Sequence, residues 1–231
     1  PDYEALEMKV GSYINAEGKV VRDAADAVGI VFKMEAIGDD VPANYPVALQ
    51  GKTIAGYAVA IENVVVGRQT LNNEAISSLV TTDATVTNGT QATEALLTGL
   101  GDVAFKTTYE KWVNEHLLDG ESLSSWYIPT LNQLGEFMGM LFKVGEVEPT
   151  GGQAFREMPE FAFENGVMFD RDPIESVYYA SCTVNGSKDV SGVIINVDKT
   201  TKQVLDAKAS SLKVTGSSQK ALCRPMITIF K

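Results

Sequence analysis

The sequence is poor in the residues that build metal and redox centres. Its 231 residues include one histidine, His116, and two cysteines, Cys182 and Cys223. A structural zinc site takes about four ligands, most often thiolates and imidazoles, so these three residues cannot make a thiol-rich one. The cysteines lie in separate strand-like segments and form no Cys-x-x-Cys pair. This pattern leaves two alternatives open, one disulfide or two buried free thiols.

The sequence also has few basic residues and no long apolar run. It contains 19 Lys and Arg against 30 Asp and Glu, a net charge of −11. Nucleic acids and anionic membrane surfaces are bound through cations that face their phosphates, so neither is an expected partner. A membrane-spanning helix needs about twenty apolar residues in succession, and no spanning segment is predicted. Because the chain opens at Pro1 without an initiator Met or a signal peptide, we expect a trimmed chain, with any targeting segment or lipid anchor upstream.

Apolar residues and glycine are plentiful. Apolar residues make up 45% of the chain and aromatic residues 8%, and there are 20 glycines. A sizeable core is therefore expected, and the length suits one large domain or two small ones. We predict a leader over residues 1–8 and a single domain over residues 9–231.

The stretch around Trp126 carries the clearest structural signal. Pro129 disfavours helical geometry at the residue before it, and so ends a short strand of residues 126–128. Thr130 is a good N-cap, and Gln133 stands where the partner in a capping box belongs. We predict a capped helix with one apolar face, and core positions at Trp112, Trp126, Pro129 and Phe137. The apolar residues at helical spacing are Leu131, Leu134, Phe137, Met138, Leu141 and Phe142.

Strands are predicted on both sides of a helical middle section. One further helix is predicted to be capped by Thr90, and another to open with a capping box of Thr107 and Glu110 and to end at Gly120. Residues 66–88 are expected to form a long connection with a short helix near residues 74–79. Strands, then helices, then strands indicate an α+β fold with antiparallel sheet. Apolar runs of strand length occupy residues 10–14, 28–32, 55–61, 177–182, 193–197 and 221–230, the last with a bulge or edge position at Pro225.

Seven short motifs follow one another over residues 9–231. They are Val10-Gly11-Ser12-Tyr13 with Glu17-Gly18, Gly29-Ile30-Val31-Phe32, Gly56-Tyr57-Ala58-Val59-Ala60-Ile61, Asn88-Gly89-Thr90, Trp126-Tyr127-Ile128-Pro129-Thr130 with Glu136, Tyr178-Tyr179-Ala180-Ser181-Cys182, and Cys223-Arg224-Pro225-Met226 with Phe230. In this order they resemble the C-type-lectin-like surface domains of Bacteroidetes, which are related to fimbrial tip adhesins and to formylglycine-generating enzymes. The resemblance implies an α+β, C-type-lectin-like fold, with two or three helices packed on twisted antiparallel sheets and with adjacent N- and C-terminal strands.

The same resemblance implies a non-catalytic binding or adhesion protein. Such a protein would lie outside the cell or on the outer-membrane surface and recognise a glycan or a surface protein. Two alternatives stay open: an enzyme of formylglycine-generating-like fold, and a structural subunit of a fimbria-like assembly. The calcium-binding triplets of sugar-binding lectins are missing from the sequence, and Cys182 and Cys223 are too far apart in sequence to match the closely spaced cysteines of the formylglycine-generating relatives. We therefore expect no cofactor, no metal and no catalytic residues.

In the resembling domains, loops between the late strands carry recognition. Here these are residues 185–189, 200–203 and 210–220, which are mostly polar. We take Asn185, Lys188 and Asp189 as candidate ligand contacts. Tyr178 or Tyr179 would add an aromatic face, because alternation along a strand turns one of the two outward. The alternative is that these loops are solvated hairpin ends.

Two weaker candidates complete the set. His116 has no sequence signature of a nucleophile or an orienting carboxylate beside it, so a surface or boundary position is expected. Asp170 and Asp172 have the spacing of oxygen ligands for a hard cation such as calcium. The alternative is a solvated acidic loop.

Overall fold

Two β-sheets with helices on their faces make up the described chain. A computed structural model describes residues 6–66, 88–100, 104–162, 169–185, 189–213 and 221–231, with only the backbone given for residues 66, 100, 104, 169–171, 184–185, 189–190 and 210–213. The strands are β1 (Tyr13–Ile14), β2 (Val20–Val21), β3 (Gly29–Lys33), β4 (Ile54–Ala60), β5 (Val64–Val66), β6 (Phe169–Arg171), β7 (Ile174–Asn185), β8 (Asp189–Asp198), β9 (Val204–Lys213), β10 (Ala221–Cys223) and β11 (Met226–Phe230). The helices are α1 (Val47–Gln50), α2 (Gly89–Leu100), α3 (Ala104–Glu115), α4 (Leu131–Leu141) and α5 (Gln153–Arg156). The predicted α+β class is confirmed; the helix expected near residues 74–79 lies outside the described residues.

The first sheet joins the two ends of the domain. Its strand order is β11-β4-β3-β1-β2, and every pair in it is antiparallel. The N- and C-terminal strands thus share a sheet, but the prediction that they are adjacent is wrong, because β4 and β3 lie between them. The predicted strand over residues 10–14 shortens to β1, since Gly11 has a φ of 90°, which does not fit extended structure. Within the predicted leader, Met8 packs against the core.

The second sheet has the order β5-β10-β7-β8-β9, with β6 on β7. The pair β7–β10 is parallel, with Leu222 opposite Tyr179. The other strand pairs of this sheet are antiparallel. Residues 210–213, expected to belong to a loop, form the end of β9, whose ladder with β8 continues to Lys213.

The predicted last strand is divided between the two sheets. β10 belongs to the second sheet and β11 to the first, and the chain crosses between them at Arg224 and Pro225. Proline has no N–H to donate to a ladder, so the strand ends there. Arg224 is 3% exposed, and its Nε donates to the carbonyl oxygen of Ala60 at 2.6 Å. The side chain therefore fixes the crossing to the end of β4.

The helix after Pro129 begins as predicted, and the other two do not. Thr130 accepts from the backbone N–H of Gln133, whose side chain accepts in turn from the N–H of Thr130, which completes the capping box. The helix α3 starts before Thr107 and ends at Glu115, so the capping box and the glycine end proposed for it are wrong. Gly120 instead allows a close approach, because a Cβ there would lie 2.7 Å from the carbonyl oxygen of Glu17. Likewise, Thr90 lies inside α2, which begins at Gly89.

The stretch before α4 connects two hydrophobic clusters. Trp126 and Ile128 pack in the cluster that contains α2, α3 and Cys182, while Tyr127 packs in the cluster that contains α4. Alternation along an extended chain turns neighbouring side chains to opposite sides, which produces this division. All four predicted core residues, Trp112, Trp126, Pro129 and Phe137, are buried.

Candidate functional site

The predicted ligand loops lie at opposite ends of one sheet. Asn185 pairs with Asp189 where β7 turns into β8, and the last residue of β9, Lys213, lies beside them. Residues 200–203 join β8 to β9 at the far end of a ten-residue strand, about 30 Å away at about 3.3 Å per residue. Residues 200–203 therefore do not share a surface with Asn185 and Asp189. Lys188 and the side chains of Asn185 and Asp189 lie outside what the structure describes.

The two tyrosines do not provide the expected aromatic face. They point to opposite sides of β7, as alternation predicts: Tyr178 packs in one cluster and Tyr179 in the other. Tyr178 is fully buried, and Tyr179 is half-buried, with its hydroxyl accepting a hydrogen bond from the Asn63 amide at 3.1 Å. Both also lie about 20 Å along the strand from Asn185. A stacking ring beside the Asn185–Asp189 turn is therefore not formed by either of them.

The loop between β8 and β9 is held by its own contacts. Asp198 accepts hydrogen bonds from the backbone N–H groups of Thr201 and Thr200, and the bond from Thr201 is the main reason that its pKa is lowered. Lys202 forms an ion pair with Glu175 at 3.0 Å. Within the described residues, no three His, Cys, Asp or Glu side chains lie where they could hold a metal ion. The side chain of Asp170 is outside that set.

Cys182 and Cys223 are two buried free thiols. They lie on neighbouring strands, as expected, but β7 and β10 are parallel rather than antiparallel. Counting on from the Leu222–Tyr179 pair, Cys223 lies level with Ala180, so the two cysteine Cα atoms are diagonal, about 8 Å apart for strands about 4.8 Å apart. A disulfide needs Cα atoms closer than about 7 Å, so the disulfide alternative is wrong for this geometry. Burial raises the pKa of both thiols, that of Cys182 to about 12, which disfavours the reactive thiolate.

His116 lies at the boundary of the core, just after α3. Its ring stacks on Trp112 with centroids 4.2 Å apart. Its Nδ1 contacts the carbonyl oxygen of Trp112 at 2.7 Å, and its Nε2 lies 3.0 Å from a carboxylate oxygen of Glu62. The same Glu62 oxygen accepts from the Trp112 indole at 2.8 Å. The ring thus contacts α3 through Nδ1 and the turn after β4 through Nε2, which is a structural role.

The sequence interpretation missed an open groove of about 570 Å³ between α2 and α3. We call it the α2–α3 groove. Leu97, Tyr109, Val113 and Trp126 form its apolar and aromatic floor. Its polar lining is supplied by Thr90, Thr93, Glu94, Thr98, Lys106, Glu110, Asn114 and Ser125, and Pro46 also lines it.

The α2–α3 groove carries more negative than positive charge. Glu94 and Glu110 supply two carboxylates from opposite helices, and Lys106 supplies one ammonium group 4.0 Å from Glu110. Tyr109 is 2% exposed, and burial raises its pKa, so its hydroxyl keeps its proton. The spacing of Lys106, Glu110 and Asn114, four residues apart, shows a polar stripe on α3. This spacing in the sequence does not reveal that α2 lies opposite α3.

Comparisons of the chain with models of known families, with curated proteins and with solved structures find no match. The structure itself shows the α+β class and no more specific family. No helix in the described ranges is long and apolar enough to cross a membrane.

Proposed function

We propose that this protein is a non-catalytic binding protein of the cell surface that holds a neutral glycan in the α2–α3 groove. We include in the proposal the C-type-lectin-like form of the α+β fold, which the order of the seven motifs supports. The observation that carries the function is the groove itself, in which two helices present polar groups around an apolar floor.

The groove has the chemistry that a sugar requires. Carboxylates and amides such as Glu94, Glu110 and Asn114 accept from or donate to sugar hydroxyls, and bonds to charged groups are the stronger ones. Leu97 and Val113 offer apolar contact to the C–H faces of a sugar ring. A volume of about 570 Å³ falls within the range of about 300–1,000 Å³ for small-molecule sites.

The negative charge of the protein favours neutral glycans over acidic ones. The chain carries a net charge of −11, and the groove has two carboxylates against one ammonium group. A sialylated or sulfated glycan would be repelled by both. A neutral glycan is the ligand class that fits.

The state of the two cysteines supports a binding function over the formylglycine-generating alternative. That chemistry uses reactive thiols, whereas Cys182 and Cys223 are buried and their pKa values are raised. To react, a thiol must be accessible to its reaction partner and must form a thiolate. Neither condition is met at these two positions.

A glycan array tests the proposal. Wild type is compared with a Glu94→Gln, Glu110→Gln double variant, which keeps the shape of the groove and removes its carboxylate charges. Because a hydrogen bond to a charged group contributes about 1.5–3 kcal/mol, we expect at least about a tenfold loss of affinity for neutral glycans. Circular dichroism and the melting temperature check that the fold is intact.

Two control variants separate the groove from other surfaces. A Glu146→Gln, Glu148→Gln variant makes the same chemical change at two exposed positions and should bind as wild type does. An Asn185→Ala, Lys188→Ala, Asp189→Ala variant tests the predicted loop and should also bind normally. No glycan bound by wild type, or equal binding by the groove variant, would overturn the proposal, and loss in the loop variant alone would move the site to that hairpin.

A further inference from the structure

A second concavity adjoins the α2–α3 groove beyond Trp126. It encloses about 290 Å³, near the lower end of the about 300–1,000 Å³ typical of small-molecule sites, which suits one large side chain. Its apolar wall is made by Val113, Leu117, Leu118, Leu123 and Trp126. We call it the Leu117 pocket.

The wall of the Leu117 pocket is partly exposed, and backbone hydrogen bonds fix the chain around it. Leu117 is 70% exposed, whereas Leu123 is 6% exposed. The backbone around the pocket is fixed, because the N–H of Leu123 donates to the carbonyl oxygen of Gly120 and the N–H of Ser124 donates to that of Thr228. Exposed apolar surface around a preformed pocket is typical of protein interaction sites.

The charges around the pocket indicate the kind of partner. Asp119 and Glu121 flank Gly120, and both are exposed. Neither forms an ion pair with any residue that the structure describes. The lysine near the end of α3, Lys111, is paired with Glu115 at 3.9 Å. Gly120 itself lines the pocket, so we call these two flanking carboxylates, which lack an ion pair among the described residues, the acidic rim.

We propose that the Leu117 pocket docks a basic segment of another protein, which inserts one large apolar side chain and places Lys or Arg beside Asp119 and Glu121. The apolar side chain would displace water from Leu117 and Leu123, and the cations would lie against the acidic rim. An anionic membrane would meet the same carboxylates with like charge, so a lipid surface does not fit. This site differs from the glycan groove in its ligand class. Val113 and Trp126 line both sites, but Leu117, Asp119 and Glu121 belong to this proposal alone.

A random dodecapeptide library displayed on phage tests the proposal. We expect wild type to enrich peptides with a Leu, Phe or Trp flanked by Lys or Arg. Binding of the enriched peptides, measured by fluorescence anisotropy, should weaken at least tenfold in Leu117→Ser. It should also weaken, with a smaller salt dependence, in an Asp119→Asn, Glu121→Gln variant. Leu205→Ser, an equivalent change at a 49% exposed leucine on β9, is the matched control and should bind as wild type does.

The proposal is overturned by no enrichment over background, by enrichment of acidic or uncharged peptides, or by equal binding to Leu117→Ser. Sedimentation of wild type with phosphatidylserine-containing vesicles would also overturn it, in favour of a membrane surface. The Glu94→Gln, Glu110→Gln variant should keep full peptide binding. That result separates failure of the glycan proposal from failure of this one.

Discussion

The indole nitrogen of Trp126 donates a hydrogen bond to the backbone carbonyl oxygen of His116 at 2.8 Å. This bond ties the extended stretch before α4 to the end of α3. The ring of Trp126 also meets that of Trp112 edge to face, with centroids 5.1 Å apart, a favoured arrangement for aromatic pairs. Trp126 therefore holds the wall that the α2–α3 groove and the Leu117 pocket share.

Replacing Trp126 by alanine should strongly destabilise the fold. Trp126 is 5% exposed, and truncation of a buried Trp to Ala typically costs about 3–5 kcal/mol. Urea unfolding followed by circular dichroism measures the change. Leu117→Ala is the control, because a change at an exposed position usually stays within about 0.5 kcal/mol. An unchanged urea midpoint in Trp126→Ala would contradict the structural role.

The two thiols should be present but unreactive in the folded protein. Burial raises the pKa of Cys182 to about 12 and also raises that of Cys223, so little thiolate forms near pH 8. We expect no prompt reaction with a disulfide reagent in native buffer and two thiols per chain after denaturation without reductant. Zero thiols in the denatured chain would instead reveal a disulfide, and prompt labelling of the native chain would show that the thiols are accessible.

Asp40 should make a stability contribution that is lost as pH rises. Burial raises its pKa above 3.8 and outweighs the hydrogen bonds from Tyr45 and Tyr57 that lower it. A carboxyl group with a raised pKa in the folded state binds its proton more tightly there. Its contribution is therefore complete below the unfolded pKa and disappears as pH rises through the folded pKa. The free energy of unfolding of wild type minus that of Asp40→Asn should fall over this window.

Asp198 provides the control of opposite sign for the Asp40 measurement. Its pKa is lowered, mainly by the backbone hydrogen bond from Thr201. Its contribution is therefore present above the unfolded pKa and is lost as pH falls through the folded pKa. Urea titrations at a series of pH values on Asp198→Asn should show this opposite slope. The same slope for both variants would contradict the assignment.

Removing the cap of α4 should cost a moderate amount of stability. Thr130 accepts from the N–H of Gln133 at 3.3 Å, and replacing an N-cap Thr by Ala typically costs about 0.5–2 kcal/mol. Thr130→Ser keeps the accepting hydroxyl and should lose less. Thermal unfolding of both variants measures the difference. Equal losses in the two would show that the methyl group, rather than the cap, stabilises this position.

Local features of the sequence predicted the parts of the structure that depend on few neighbours. The capping box of Thr130 and Gln133 involves residues three positions apart, and the burial of Trp126 follows from its place beside an apolar helix. The same capping rule gave wrong helix starts at Thr107 and Thr90. For α3, the packing of Phe105, Tyr109 and Trp112 in the core decides where the helix lies. The sequence analysis did not predict the α2–α3 groove, because the groove forms between two helices whose pairing depends on tertiary packing.

The sequence by itself determined the α+β class, the α4 cap and the alternation that sends Tyr178 and Tyr179 to opposite faces. Each of these follows from backbone geometry and side-chain periodicity over a few residues. Only the tertiary structure decided that β10 lies parallel to β7, that Cys182 and Cys223 are diagonal, and that α2 faces α3 across a groove. These depend on pairings between residues far apart in the chain, which are selected by the burial of whole faces against each other, and no short stretch of sequence records that selection.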